Sequence, residues 1–288
     1  MSSQEVHNHE VLGPPAINMA VKSRPPHDRG AVLWDDSSGP SRMLTSSIDR
    51  WTSSLLADDG IDIPFVGGNA LIRSTIVAKS DGVLAGCAAV DHMLRIWAGG
   101  LQITWAHGEG RSITAGDEIA ILQGDKEAVL AMERTVLNLL GQLSGIATEA
   151  KKWSSMAPGQ IACTRKTIWG LLDKWAVHLG GGLTHRLSKR DARMIKENDL
   201  ASMYPDVEGN GARISKYLSE VDLSECGAFL EVEVREEKEA IMAAFSWSEK
   251  RMIERCDRLV IMLDNFGPKR CKAVADELSE MGLREHVV

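Results

Sequence analysis

The sequence lacks the features that would place it in a membrane or on a nucleic acid. No apolar run approaches the roughly 18 residues needed to cross a bilayer, so we expect no membrane span. Acidic residues outnumber basic ones by 40 to 33, and a net charge of −7 argues against a general nucleic-acid binder, which normally carries a basic face. An anionic ligand must therefore be held by a local basic cluster.

Paired cysteines are lacking as well. The five cysteines are odd in number and widely scattered, and none forms a CxxC pair. The sequence therefore indicates neither a zinc site nor a disulfide framework. We expect reduced, buried thiols in a cytoplasmic protein. No lysine stands at an obvious hairpin tip, which disfavours a biotin or lipoyl carrier.

The first part of the chain divides into a leader and a small domain. Residues 1–45 hold five of the nine prolines, much Ser and Asp, and little periodicity, so we predict a disordered leader. Residues 46–131 are predicted to form an N-terminal α+β open-faced sandwich, because short strand-like runs alternate there with Gly, Asp and Ser. The runs cover residues 76–78, 83–85, 101–105 and 118–121.

The rest of the chain has the pattern of an α/β barrel. A long amphipathic helix is predicted from apolar residues that recur every three or four positions between Val129 and Ile146. Strands and helices then alternate, which predicts a βα barrel over residues 132–288. The strands are expected to end near Cys163, Lys196, Val234 and Asp264, and the helices to cover 169–180, 212–220, 236–245 and 268–281. A fifth strand is expected to begin at His286.

Charged side chains gather at these predicted strand ends, where a βα barrel has its active face. The set comprises Arg165, Lys166, Arg186 and Lys196 as cations and Glu231, Glu233 and Asp264 as carboxylates. Arginine clamps a planar carboxylate through two hydrogen bonds, and lysine supplies a mobile point charge. The carboxylates suit sugar hydroxyls or Mg²⁺ bridging a diphosphate. An anionic aromatic acid together with a sugar diphosphate fits such a site. Solvated glutamates on a poorly covered strand, and a solvated Arg165–Lys166 pair, are the alternatives.

Several short motifs follow one another along the sequence, and their combined order is highly specific. They are Ala78–Gly86, Glu133–Thr135 with Asn138, Leu143–Thr148, Thr164–Thr167, Asp173–Val177, Gly180–Gly182 with His185 and Arg186, Ile195–Asn198, Glu231–Val234 and Met262–Asn265. From about residue 46 to the end, this order resembles the quinolinate phosphoribosyltransferase family, whose fold is an N-terminal sandwich followed by an α/β barrel.

The resemblance implies that quinolinate and phosphoribosyl pyrophosphate are converted, with Mg²⁺, to nicotinate mononucleotide, diphosphate and CO₂. It implies that Arg165, His185 and Arg186, with Thr164 beside them, bind the quinolinate carboxylates. Lys166 and Lys196 would lie at the diphosphate and carboxylate end, and Glu233 and Asp264 would hold the ribose hydroxyls directly or through Mg²⁺. Arg134 would reach the adjacent site of a homodimer or higher homo-oligomer.

The sequence also departs from the family pattern. Cys163 stands where the family usually has an acid, and Asp199 stands where a His is usual. The family continues past the fifth strand into a Ser-Gly-Gly phosphate-binding loop, so we expect this barrel to lack its last strands and its 5′-phosphate site. A truncated sequence and a catalytically inactive paralogue acting as an oligomer partner both explain this. A related phosphoribosyltransferase that uses another base, such as the molybdenum-linked paralogue, is the further alternative.

Overall fold

The computed structural model describes residues 24–65 and 70–288. Within these ranges the chain forms two compact units, one made of Arg29–His185 and one made of 24–28 with Arg186–Val288. This division lies later in the chain than the predicted boundary after residue 131. The reason is that the long helix following residue 125 packs against the next helix inside the first unit.

The first unit combines helices with an antiparallel sheet. Its helices are α1 (Arg42–Asp58), α2 (Cys87–Trp97), α3 (Lys126–Met156) and α4 (Leu171–Leu179), preceded by a 3-10 helix at Gly30–Leu33. Its strands are β1 (Trp34–Asp35), β2 (Gly39–Pro40), β3 (Leu71–Val77), β4 (Gly82–Val83), β5 (Gln102–Trp105), β6 (Ser112–Ile113) and β7 (Glu118–Asp125). β7 is central and pairs with β3 on one side and β5 on the other.

The prediction of a disordered leader is wrong for residues 30–45. Leu33 and Leu44 are 0% and 1% exposed, so both belong to the core of the first unit. Ser41 begins α1, because its side chain accepts a hydrogen bond from the backbone N–H of Leu44. The composition of this segment indicated disorder, but burial of one leucine side chain stabilises the folded state by roughly 1.5–3 kcal/mol. This stabilisation outweighs the effect of a few prolines on the order of the segment. Residues 1–23 of the predicted leader lie outside the described residues.

The predicted sandwich strands are partly confirmed. Runs 101–105 and 118–121 correspond to β5 and β7, whereas 76–78 falls at the end of β3 and 83–85 only overlaps β4. Helix α2, which begins after Gly86, was not predicted from the sequence. Gly86 has φ = 102°, and a Cβ there would lie 3.1 Å from the carbonyl oxygen of Leu139. Only glycine takes this position without strain.

The predicted amphipathic helix is confirmed as α3. The carboxylate of Asp125 accepts hydrogen bonds from the first N–H groups of the helix, at Glu127 and Ala128. The predicted apolar row from Val129 to Leu143 is buried. At the next turn Ala147 is buried, whereas Ile146 is only partly so.

The second unit is built on a parallel sheet. Its strands are β8 (Arg193–Ile195), β9 (Leu230–Val234) and β10 (Val260–Leu263), in the spatial order β10–β9–β8. Its helices are α5 (Glu197–Met203), α6 (Asn210–Glu220), α7 (Glu237–Ile253) and α8 (Pro268–Glu280), with 3-10 helices at Leu223–Glu225 and Arg284–His286. Every residue of β9 is buried, as expected for a central strand covered on both faces. A core of apolar side chains joins β9 to α6, α7 and α8.

The predicted parallel strands are confirmed near Lys196, Val234 and Asp264 but not near Cys163. Around Cys163 the structure has a single parallel bridge, between Ala162 and Leu183. Val287 forms a similar parallel bridge with Leu259, where the fifth strand was predicted, although His286 belongs to a 3-10 helix. The mixed α/β class is as predicted. In the described parts of the chain, no helix is both long and apolar enough to cross a bilayer.

The packing of residues 30–45 generates a stability prediction. Replacing the fully buried Leu44 by Ala should lower the free energy of unfolding by about 2–5 kcal/mol, because the substitution leaves a cavity. The matched control is Met43→Ala at the neighbouring position, which is 44% exposed. Urea denaturation measures both, and equal, small effects would mean that this segment is not packed in the core.

Candidate functional site

The predicted site residues occur in both units. The first unit contains Arg134, Thr164, Arg165, Lys166 and His185, and the second contains Arg186, Lys196, Glu233 and Asp264. The meeting of these two groups in one pocket stays a prediction. Within each unit, the position of each side chain follows from the element that carries it.

Three residues of the second unit lie at the carboxyl edge of its parallel sheet. Lys196 follows β8, Glu233 lies near the end of β9, and Asp264 follows β10. Met262 pairs with Glu233 in the register of the sheet, so the side chain of Asp264, two residues further, is on the same face as Glu233. The side chain of Lys196 reaches this face as well, because it forms an ion pair with Glu233.

The ion pair between Lys196 Nζ and Glu233 Oε2 holds a buried carboxylate. The side chain of Glu233 is 8% exposed and that of Lys196 is 48% exposed, so the ammonium still has access to solvent. Glu231, on the same strand face, is also buried. A buried carboxylate is tolerated only with cationic or hydrogen-bonding partners. The alternative in which both glutamates are solvated on a poorly covered strand is therefore wrong.

Arg186 is buried beside this same face. Its guanidinium donates hydrogen bonds to the carbonyl oxygen of Ala192 (3.1 Å) and to Sδ of Met194 (3.3 Å). Met194 precedes Lys196 by two residues, so their side chains leave β8 on the same side. The guanidinium of Arg186 and the ammonium of Lys196 therefore do not face opposite sides of the second unit.

Arg235 is a residue at this edge that the sequence analysis missed. Its guanidinium contacts the carboxylate of Glu197 (2.9 Å) and that of Asp264 (3.4 Å). Asn265, which has φ = 59°, also donates to the Asp264 carboxylate (3.1 Å). Arg235 directly follows β9, so the rule that selected the other strand-end charges also selects this one. It extends the alternation of cations and carboxylates along the edge.

In the first unit, Thr164, Arg165 and Lys166 form an exposed loop. The N–H of Lys166 donates to the side-chain oxygen of Thr164 (3.1 Å), which makes a tight local turn. Within residues 24–65 and 70–288, neither Arg165 nor Lys166 has an ion-pair partner. Both cations are therefore available to an anionic ligand.

His185 is held in an uncommon backbone conformation. Its φ is 53°, a region that L-residues other than Gly seldom adopt. The preceding Thr184 is fully buried, and its hydroxyl accepts from the N–H of Arg29 (2.8 Å) and donates to the carbonyl of His185 (3.1 Å). The glycine run before His185 allows close packing against α3, since a Cβ on Gly180 would lie 2.3 Å from the carbonyl oxygen of Ala147.

Cys163, which stands in place of the family's usual acid, carries a half-buried free thiol. Its thiol donates to the carbonyl oxygen of Thr184 (3.3 Å). Burial raises the pKa of the Cys163 thiol, and the nearby ammonium of Lys174 only partly opposes this. The thiol is therefore protonated at neutral pH.

Arg134 lies on the exposed side of α3, away from the buried apolar row. Among residues 24–65 and 70–288 it has no ion-pair partner. Exposed Leu130 and Leu137 lie on either side of it along the helix. Its side chain thus points out of the first unit.

The carboxylates do not form a metal site by themselves. In the described ranges, no three His, Cys, Asp or Glu side chains come together in a group that would hold a metal ion. Glu233 is paired with Lys196 and Asp264 with Arg235, so each carboxylate already has a cationic partner. These residues do not fit a resident Mg²⁺ held by the protein alone.

Two family models match the chain. The model of the quinolinate phosphoribosyl transferase N-terminal domain matches residues 54–144, and that of the C-terminal domain matches residues 146–288. Together they cover most of the sequence.

Individual relatives agree with these matches. The chain is 32% identical to a probable carboxylating nicotinate-nucleotide pyrophosphorylase of Methanothermobacter thermautotrophicus, over 75% of this chain and 74% of the relative. It is 34% identical to a protein of the same name from Archaeoglobus fulgidus, over 75% and 78%. Among solved structures, the nicotinate-nucleotide pyrophosphorylase of Francisella tularensis is similar with a TM-score of 0.66 and 25% identity, over 82% and 81% of the two chains.

The Lys196–Glu233 pair leads to a prediction about stability. Lys196→Met should lower the free energy of unfolding by about 1–3 kcal/mol, because it leaves the buried carboxylate without its cation. Glu233→Gln should cost less, since Lys196 is half exposed, and the double variant should cost less than the sum of the two. Urea denaturation measures the four proteins, with Lys189→Met at an exposed position as control. Strict additivity of the two substitutions would contradict the pairing.

Proposed function

Because this chain belongs to the quinolinate phosphoribosyltransferase family, we propose that it converts quinolinate and phosphoribosyl pyrophosphate to nicotinate mononucleotide, diphosphate and CO₂, a step of NAD biosynthesis. The pyridine nitrogen forms a bond to C1 of the ribose while the bond from C1 to the diphosphate oxygen breaks. The carboxylate beside the nitrogen then leaves as CO₂, and the ring carbon keeps the electron pair and takes up a proton. The names of the archaeal relatives support this reaction.

The observation that carries the proposal is the alternation of cations and carboxylates along one edge of the parallel sheet. As the diphosphate leaves, positive charge develops on the ribose and negative charge on the leaving group. Glu233 and Asp264 suit the positively charged ribose, because a carboxylate accepts hydrogen bonds from ribose hydroxyls and stabilises a nearby positive charge. Lys196, half exposed beside Glu233, suits the negatively charged diphosphate. Catalysis is then positioning and electrostatics, without a covalent intermediate.

The quinolinate carboxylates are assigned to Arg165, His185 and Arg186, with Lys166 at the diphosphate and carboxylate end. Arg165 supports this best, because its guanidinium is exposed and can clamp a carboxylate through two parallel hydrogen bonds. Thr164 shapes the turn on which Arg165 stands. These roles, like the catalytic roles of Lys166, Glu233 and Asp264, belong to the proposal.

Magnesium is proposed to arrive as the counter-ion of the diphosphate. Mg²⁺ commonly binds substrate phosphates together with one or two carboxylates and keeps several waters. Since Glu233 and Asp264 each have a cationic partner, this role fits them better than a resident site does.

A homodimer or larger homo-oligomer in the cytoplasm completes the proposal. The outward-pointing Arg134 suits a role in the site of an adjacent copy. Leu130 and Leu137, at 54% and 45% exposure, give the same helix surface an apolar character that suits burial against a second chain.

A direct assay tests the reaction. The protein is incubated with quinolinate, Mg²⁺ and phosphoribosyl pyrophosphate, and CO₂ and mononucleotide are measured. Product from quinolinate is the expected result. Product from another base alone would indicate a related phosphoribosyltransferase, and absence of product in a protein that still oligomerises would indicate an inactive paralogue.

The role of Arg165 is tested by substitution. Arg165→Ala should lower kcat/KM for quinolinate about 10- to 100-fold, because one charge-assisted clamp is lost, and it should not change the thermal unfolding temperature. Arg190→Ala, also an exposed arginine, is the matched control. Activity of Arg165→Ala within about twofold of the control would exclude Arg165 as a substrate clamp.

A further inference from the structure

Two adjacent, oppositely charged residues are buried in the first turn of α4. Lys174 is 1% exposed and Asp173 is 5% exposed. Lysine is almost never fully buried unless its ammonium is satisfied. The buried ammonium of Lys174 must therefore have hydrogen-bond partners inside the first unit.

The ammonium of Lys174 connects two separate chain segments through their carbonyl groups. It donates to the carbonyl oxygen of Thr164 (3.0 Å) and to that of Thr184 (2.6 Å), and it lies 3.6 Å from the sulfur of Cys163. Hydrogen bonds from a charged donor are about twice as strong as neutral ones. The Thr164 and Thr184 segments are thus tied to a single point in the interior of the first unit.

Asp173 holds the other end of the first of these segments. Its Oδ2 accepts hydrogen bonds from the backbone N–H groups of Ile168 (2.7 Å) and Trp169 (3.1 Å). The loop from Thr164 to Trp169 is therefore fixed at its start by Lys174 and at its end by Asp173. The exposed Arg165 lies between these two anchors.

The second segment leads directly into His185. Its φ of 53° is strained, and a strained residue persists only where its surroundings over-determine it. The bond from Lys174 to the carbonyl of Thr184 fixes the peptide group immediately before His185. One ammonium thus fixes the backbone on which both Arg165 and His185 depend.

We propose that Lys174 is a positioning residue for quinolinate, whose ammonium holds the Thr164–Lys166 loop and His185 at the spacing that the two carboxylates of the substrate require. The proposal rests on the proposed function for the identity of the ligand. Lys174 itself touches no substrate. A misplacement of about 1 Å in positioning residues can cost about 100-fold in rate, so loss of this anchor should appear in quinolinate kinetics.

The test replaces Lys174 by Met, an unbranched side chain that lacks the terminal ammonium and therefore the charge. Lys174→Met should raise the KM for quinolinate about 100-fold and that for phosphoribosyl pyrophosphate by less than about tenfold. Amide hydrogen exchange of peptides covering 161–169 and 182–187 should become faster together. Wild-type exchange and wild-type KM values in the folded variant would overturn the proposal.

The matched control is Lys250→Met in α7. Lys250 is also buried, at 7% exposure, and pairs with Glu254. A purely structural loss should lower the unfolding temperature in both variants, but only Lys174→Met should change the quinolinate KM and the exchange of the two peptides. The same rise in KM in both variants would overturn the positioning role.

Two further outcomes separate this proposal from the proposed function. If the wild-type protein does not turn over quinolinate, the proposed function fails and the hydrogen exchange of Lys174→Met alone decides whether Lys174 anchors the two segments. If Lys174→Met does not fold, exchange in the wild-type protein decides. If Lys174 anchors both segments, the two segments should open together. Protection factors that differ between the two segments by more than about tenfold would overturn the proposal.

Discussion

The burial of the Glu233 carboxylate is the constraint on which the carboxyl edge of the second unit depends. An uncompensated charge inside a protein costs several kcal/mol, so a cation must stand beside it. Lys196 does so from the neighbouring strand. The parallel register then places Asp264 on the same face, and Asp264 in turn is paired with Arg235. One buried charge at the centre of the sheet thus accounts for the alternation of charge along its edge.

The first unit uses the same principle with the opposite sign. There the buried charge is the ammonium of Lys174, and its partners include backbone carbonyls of Thr164 and Thr184. In both units a buried charge fixes local structure, while exposed charges nearby, such as Arg165 or the solvent-facing side of Lys196, are available to a ligand. In the first unit, the buried Lys174 sets the geometry of the backbone, whereas the exposed Arg165 can bind substrate.

Much of the second unit could be predicted from sequence, because β9 and β10 are short runs rich in branched apolar residues. Residues that directly follow parallel strands lie at the carboxyl edge of the sheet, so Lys196 and Asp264 could be predicted as site residues from topology alone. The start of α2 could not be predicted, since the N–H of Cys87 is satisfied by the buried carboxylate of Glu109, 22 residues away.

Other features depended on contacts that no local pattern encodes. The buried guanidinium of Arg186 is held by the carbonyl of Ala192 and the sulfur of Met194. The sequence pattern indicates only that Arg186 is a cation near the active face of the barrel. The strand expected near Cys163 is reduced to a single bridge. Lys174 stood inside a motif that was noted only as a resemblance, and only its burial showed what it holds.

A crystal structure of the chain with phosphoribosyl pyrophosphate and Mg²⁺ tests whether the carboxyl edge of the parallel sheet binds the sugar diphosphate. We expect the ribose hydroxyls to lie within hydrogen-bond distance of Glu233 and Asp264, and the diphosphate to lie against Lys196. A ligand bound elsewhere, with the carboxyl edge of β8, β9 and β10 untouched, would contradict this expectation.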